Sequence, residues 1–200
     1  MESSLKDLEI KTIRSNLQPH FIFNSLNSIR ALIDVNPELA RDAITKISNI
    51  LRSTITKQEA TDTLENELAL AEDYLALEKI RFEERLNFEK QIAPDTLPVQ
   101  IPTMMLQTLI ENAIKHGISN LEAGGIIVLH TRILHDATLE IQVINDINPA
   151  QIKQHENSLG FGLSSSRQRL KLLYGAQASL SLNFENAKAI LTVRLPSGLT

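Results

Sequence analysis

Three stretches of this 200-residue chain carry side chains whose types and spacing suit chemistry. In the first, His20 follows Pro19 and precedes Asn24 and Asn27 at i+4 and i+7. On a helix these three share one face, and an imidazole there is open to a partner. In the second, between Pro102 and Gly117, Thr108, Glu111, Asn112 and Lys115 fall at i, i+3, i+4 and i+7. One polar helical face thus presents a carboxylate, a carboxamide and an amine together. A carboxamide oxygen and a carboxylate suit Mg²⁺, which keeps several waters and shares phosphate oxygens. Lys115 and His116, one turn on, can meet the phosphates themselves. In the third, Gly160-Phe161-Gly162-Leu163 opens a helix after a long polar loop. Glycines there let the backbone approach phosphate oxygens, and the helix N-terminus offers free donors. Arg167 and Arg169 stand nearby, placed to screen phosphate charge. Singly these are a solvated histidine, a solvated helix face and a turn. In this order they read as a nucleotide brought to one histidine.

The segments between them must supply the frame. The first helix is expected from about Leu5 to Ile33, with a kink at Pro19. The kink reconciles two displaced apolar stripes, Ile10, Ile13 and Leu17 ahead of it and Ile22, Leu26, Ile29 and Ile33 behind. Asn36 is a good N-cap and Pro37 is pre-set for the first turn of a second helix, which runs to about Ile55. That helix puts Ala40, Ala43, Ile47, Ile50 and Thr54 on one face. Two helices joined so tightly lie antiparallel, and a hairpin this thin buries its stripes best by pairing into a four-helix bundle. Lys57 to Asp62 is the predicted linker. A third helix follows from Leu64 to Phe82, with Glu65 and Glu67 in its dipole-favoured first turn. Next come a strand over Leu86–Ile92 and a helix opened by Pro102 and closed by Gly117. Strands are expected over 126–134 and 138–144, a loop over 145–159, a helix to Tyr174, and strands over 178–184 and 189–195. The class is α+β: a helical hairpin over residues 1–60, then a connector helix and a mixed domain over 61–200. Helices cover one face of a largely antiparallel sheet.

Composition narrows the function classes. Net charge is −4, with both signs interspersed and no basic stripe, which argues against nucleic acid as a direct partner. The chain has no cysteine, hence no disulfide frame and no thiolate metal site. No apolar run reaches membrane-spanning length. A cytoplasmic chain is expected, touching a membrane only through a sensor segment not present in it.

The motifs resemble those of LytS-like sensor histidine kinases. Leu17-Gln18-Pro19-His20-Phe21-Ile22-Phe23-Asn24 and the residues to Ile29 look like that family's phosphoacceptor box. Tyr74 to Phe82 resembles its connector, Ile101 to Gly117 its N box, and Gly160 to Leu163 with Arg169-Leu170 and Tyr174-Gly175 its second glycine box. The resemblance spans nearly the whole chain in the right order. It implies a homodimeric kinase core with a GHKL, or Bergerat-type, α/β sandwich that binds ATP and Mg²⁺. His20 would attack the γ-phosphate, an unperturbed imidazole being substantially neutral and nucleophilic at pH 7. The phosphoryl group would pass to an aspartate of a response regulator receiver domain, often one joined to a LytTR domain. Asn112 would hold Mg²⁺, Glu111 would orient a metal water or polarise the acceptor, and Lys115 and His116 would contact phosphates. Asn24 would position water for dephosphorylating the regulator. Where the wider superfamily has Asp-x-Gly-x-Gly, this chain has Asn145-Asp146-Ile147-Asn148-Pro149. Asn145 then takes the adenine-reading position, with Asp146 as the alternative reader. This departure bears on nucleotide affinity, and it favours a second reading, a dimeric signalling scaffold that binds nucleotide weakly. A third reading, an ATPase with Glu111 as base, leaves His20 without a purpose.

Overall fold

The computed structural model describes residues 19–56, 59–151 and 161–198. The kink at Pro19, the stripe through Ile10, Ile13 and Leu17, Lys57 and Gln58 of the linker, and Gly160 lie outside the described residues. Two units result, one of residues 1–59 with 69–83 and one of 60–68 with 84–200.

In the hairpin unit, α1 (Pro19–Val35) and α2 (Pro37–Thr56) are separated by Asn36 alone. Asn36 acts as the expected cap: its Oδ1 accepts the Leu39 N–H at 3.1 Å. Ala40, Ala43, Ile47 and Ile50 are buried along α2 as the periodicity predicts. On α1 the buried face is Phe21, Ser25 and Ile29, and the predicted stripe is left half exposed at Leu26 and Ile33. Helix α3 (Leu64–Phe82) has the predicted bounds. Its later part belongs to this unit, where Asp73 accepts from Asn49 Nδ2 at 3.0 Å and the Phe21 and Tyr74 rings lie 4.6 Å apart. The first turns of α3 belong to the other unit.

That second unit is built on a sheet ordered β2-β4-β5-β7-β6. Its strands are β2 (Leu86–Ile92), β4 (Gly125–Ile133), β5 (Thr138–Asp146), β6 (Ser179–Glu185) and β7 (Lys188–Pro196). The β2–β4 pair is parallel and the other pairs are antiparallel. Ile127 and Leu129, then Leu139, Ile141 and Val143, then Leu191, Val193 and Leu195 alternate inward, as a sheet covered on one face requires. Helices α4 (Met105–His116) and α5 (Phe161–Tyr174) pack on each other and on strands of this sheet. At the β6–β7 turn both central residues, Asn186 and Ala187, have positive φ, which suits the twist of a two-residue hairpin.

Three expectations need correction. Thr61 and Asp62, read as the end of the linker, form with Thr63 strand β1 (Thr61–Thr63), antiparallel to β3 (Gln100–Pro102). Pro102 therefore closes a strand instead of opening the helix. Helix α4 starts three residues later, behind Met104 in the left-handed region at φ 63°. The predicted loop also loses its first two residues, because β5 runs on to Asp146.

Candidate functional site

His20 lies near the start of α1, exposed, with its Nδ1 3.1 Å from the Asn24 carboxamide nitrogen. The i, i+4 spacing of the sequence is thus realised as a contact. Asn27 is exposed on the same side. The acceptor candidate and its neighbour belong to the hairpin unit, and the other candidate residues belong to the sheet unit.

In the sheet unit α4 is amphipathic in the expected way. Met105, Leu106, Leu109, Ile110, Ala113 and Ile114 are buried, while Thr108, Glu111 and Asn112 are half-buried and Lys115 is exposed. The Thr108 hydroxyl turns back along the helix and donates to the Met104 carbonyl at 2.7 Å. Gly162, in the first turn of α5, comes so close that a Cβ placed on it would stand 3.4 Å from Thr108 Cγ2. The polar helix and the second glycine of the third stretch are therefore neighbours. Leu163 beside it is buried in the core. Arg167 donates to the Leu180 carbonyl at 2.9 Å and Arg169 to the Thr103 carbonyl, so both guanidinium groups fasten α5 to its own unit.

Asn145 and Asp146 face opposite ways, as neighbours on a strand must. Asn145 continues the inward row of β5, 4% exposed, and its Nδ2 donates to the Asp146 carbonyl at 2.9 Å. This leaves Oδ1 as the free end of that carboxamide's dipole to accept a donor. Gly117 at the end of α4 makes the approach possible. A Cβ there would collide with Asn145 Nδ2 and stand 2.6 Å from the Ala113 carbonyl and 2.7 Å from that of Asp146. Asp146 points away and has other work: it accepts from the Ile126 N–H and from Lys188 Nζ, both at 2.8 Å. Burial opposes its charge, but those two hydrogen bonds and the Lys188 charge outweigh it and hold the carboxyl below its ordinary pKa. Of the two candidate adenine readers, Asn145 lies on the helix-covered face.

One residue the sequence reading passed over is Gln107. It is 4% exposed, and its Nε2 donates to Glu111 Oε1 at 2.8 Å, holding that carboxylate over the preceding turn. A glutamine four residues before a glutamate was the available signal. Among the described residues, no helix is long and apolar enough to cross a membrane, and no group of three His, Cys, Asp or Glu side chains could hold a metal ion. A Mg²⁺ bound chiefly through water and phosphate needs no such group. The half-buried Asn112 carboxamide, beside Glu111 on the polar face, fits that mode.

Comparison with known proteins gives the family and the fold. Residues 8–86 match the family described as histidine kinase. LytS, a sensor histidine kinase/phosphatase of Staphylococcus aureus strain Mu50, is 31% identical over 96% of this chain and 35% of its own length. The protein of strain N315 gives the same values. The chain thus spans about a third of the length of these curated relatives. Among solved structures, the catalytic domain of the histidine kinase ThkA superposes with a TM-score of 0.52 at 18% identity, covering 68% of this chain and 96% of that one. The histidine kinase domain of the blue-light activated kinase of Erythrobacter litoralis gives 0.50 at 16%, covering 96% and 94%. At these identities the structures speak for the fold: α+β, of the histidine kinase catalytic type.

Proposed function

Because the chain belongs to the family of LytS-like sensor histidine kinases, we propose that it is a kinase core that phosphorylates itself on His20 at the expense of ATP. Two observations support this reading: an exposed His20 engaged through Nδ1 in the hairpin unit and, within the sheet unit, the approach of Gly162 to Thr108 and of Gly117 to Asn145. With Nδ1 turned to Asn24, Nε2 is the outward nitrogen. The attack needs the tautomer with the proton on Nδ1, for which the Asn24 carboxamide turns its oxygen to the ring. The Nε2 lone pair would then attack the γ-phosphorus, the bond to the β-bridging oxygen would break, ADP would leave, and the Nδ1 proton would pass to solvent. The product is a phosphoramidate, whose phosphoryl group moves to an aspartate of a receiver domain, in the family's manner one joined to a LytTR domain. Because LytS is named a kinase/phosphatase, the reverse duty at the regulator, with Asn24 placing water, is part of the proposal.

Phosphoryl transfer of this kind depends on position and on neutralised charge. Asn112 would hold Mg²⁺, which supplies that neutralisation when bound. Glu111, kept in place by Gln107, would orient a metal-bound water or polarise the acceptor, and Lys115 and His116 would meet the phosphates. Asn145 Oδ1 would accept from the adenine amine. Gly160 and Gly162 would let the backbone approach the phosphates, with Thr108 and Leu163 flanking them. Residues 1–60 would form the dimerising, phosphoaccepting part and 61–200 the connector and ATP-binding part. Leu26 and Ile33, left half exposed on one copy of α1, support a homodimer closing as a four-helix bundle. The weak-binding scaffold remains a second reading because Asn145-Asp146-Ile147-Asn148-Pro149 has no glycine.

The test is incubation with γ-labelled ATP and Mg²⁺, followed by acid and alkali treatment, beside His20→Gln. Label that survives alkali, is lost in acid and is absent from the variant is expected, with ATP binding unchanged. ATP binding without label would favour the scaffold.

A further inference from the structure

Glu67 lies in the first turns of α3, where a glutamate ordinarily sits in solvent facing the helix dipole. Here it is fully buried, at 0% exposure, while Glu65 two residues earlier is exposed. Its Oε1 accepts the Met104 N–H at 2.9 Å. On the other side of the same peptide bond, the Thr103 carbonyl accepts from Arg169 Nη1. A single peptide unit is thus held at its N–H by a carboxylate from α3 and at its C=O by a guanidinium from α5. Glu67 and Arg169 also feel each other. Burial pushes the Arg169 pKa below its ordinary value, and the Glu67 charge pulls against that.

The clamped peptide sits at a consequential place. Met104, immediately after it, has φ 63°, a left-handed conformation that a residue with a side chain adopts only under constraint. The Met104 carbonyl in turn accepts both the Thr108 N–H, at 3.1 Å, and the Thr108 hydroxyl, at 2.7 Å. Thr108 is the residue against which Gly162 packs. The neighbourhood is otherwise anchored by backbone: Leu64 and Glu65 donate to the carbonyls of Val99 and Leu97, and Thr103 donates to that of Ala60.

We propose that Glu67 and Arg169 are positioning residues that clamp the Thr103–Met104 peptide and so set the start of α4 and the Thr108–Gly162 contact for nucleotide binding. The inference rests on the nucleotide reading of that contact. It adds a route by which α3, the connector helix, and α5 bear on the site without touching nucleotide. Hydrogen bonds from a buried carboxylate and a part-buried guanidinium to one peptide hold its orientation more firmly than neutral ones, each being roughly twice as strong.

The test uses Glu67→Ala, Glu67→Gln and Arg169→Gln in the whole chain, with two readouts. Amide exchange of Met104 and Thr108 reports the clamp whether or not nucleotide binds, and the dissociation constant of a fluorescent ATP analogue with Mg²⁺ reports its consequence. Glu67→Ala is expected to speed exchange at Met104 at least tenfold, with β5 and β7 unchanged, and to weaken the analogue about tenfold. Glu67→Gln keeps an acceptor for the Met104 N–H, and recovery of most of the exchange protection is expected, which a merely space-filling Glu67 would not predict. Arg169→Gln combined with Glu67→Ala is expected to cost little more than the worse single change, since both act on one peptide. Unchanged Met104 exchange in Glu67→Ala and Arg169→Gln would overturn the clamp, as would lost protection with analogue affinity held within twofold. Should Glu67→Ala lose protection in β5 and β7 as well, Glu67→Gln and Arg169→Gln decide by the same criteria. Wild-type chain that protects Met104 yet binds no analogue would sink the nucleotide reading and leave the clamp to the exchange data.

Discussion

His20 stands exposed on α1, its ring steadied by one carboxamide at 3.1 Å, among apolar side chains that include Phe23 at 65% exposure. Asn145 is buried at the end of β5, with its amide fixed on a neighbouring carbonyl and a glycine opposite that no side chain could replace. The hairpin displays its histidine and leaves part of its apolar surface uncovered. The sheet unit buries its own core and locks its candidate binding groups from behind. Under the proposed function, the difference follows from what each must meet. A phosphoacceptor has to reach a nucleotide and later a second protein, so it must stand free. Groups that read a nucleotide gain most from being fixed before it arrives.

The largest effect is expected where the hairpin is least complete. Leu26→Glu with Ile33→Glu places two carboxylates on the half-exposed stripe of α1, away from Phe21, Ser25 and Ile29, which already face inward. If that stripe is a dimer seam, burying two unpaired charges there weakens self-association about a thousandfold, roughly 4 kcal/mol. Sedimentation across a concentration series measures it, with helix content by circular dichroism as the control. A pair of variants that associates like the wild type would show the stripe to be plain surface. The contrast with the sheet unit would then lose its basis.

Next comes Gly117→Ala, aimed at the preorganised side. The added methyl meets the Asn145 carboxamide and the carbonyls of Ala113 and Asp146, so the helix end and the strand end must separate. Overpacking of this kind costs about 1–3 kcal/mol. A fall in ATP affinity of about a hundredfold is expected by calorimetric titration, with His20 still exposed on a hairpin of unchanged helicity. Undiminished affinity would mean that Asn145 does not need its present position.

Much of this architecture was legible beforehand, and the reasons differ by element. Strand β7 alternates clearly, β2 moderately, and α3 opens on acidic residues its dipole favours, so their bounds fell within a residue or two of expectation. Strand β1 was illegible because three polar residues, Thr61, Asp62 and Thr63, owe their conformation to a distant partner, Gln100–Pro102. The start of α4 was misplaced for a related reason. Pro102 looks like a helix opener locally, but the chain turns at Met104, where Glu67 and Arg169 hold the peptide before it. Local propensity does not register a constraint from 37 residues away. Asn145 and Asp146 could have been told apart, since the inward row of Leu139, Ile141 and Val143 extends to Asn145 by simple alternation.

The third prediction sharpens the comparison by showing what in the sheet unit is stability alone. On the sheet face away from the helices, Glu140 has no exposed surface, yet its two partners, Arg132 and Arg194, are half exposed. They donate from their Nε atoms to its two oxygens at 2.8 and 2.7 Å. Burial raises the Glu140 pKa, but the two arginines more than reverse this, and it lies below the ordinary carboxylate value. Glu140→Gln strips the charge both arginines converge on. About 2 kcal/mol of stability should be lost at pH 7, less than for a wholly buried pair because water screens the arginines. The sign with pH is set by the lowered folded pKa. The contribution is complete above the unfolded value, about 4.3, and disappears as pH falls through the folded one. Urea denaturation of both proteins should therefore show a constant gap from pH 7 to about 5 that narrows on further acidification. ATP affinity should stay the same throughout, because this charge cluster and Asn145 occupy opposite faces of β5. A gap that widens in acid would reverse the assigned direction of the shift, and a large loss of ATP affinity would mean that the two faces are energetically one.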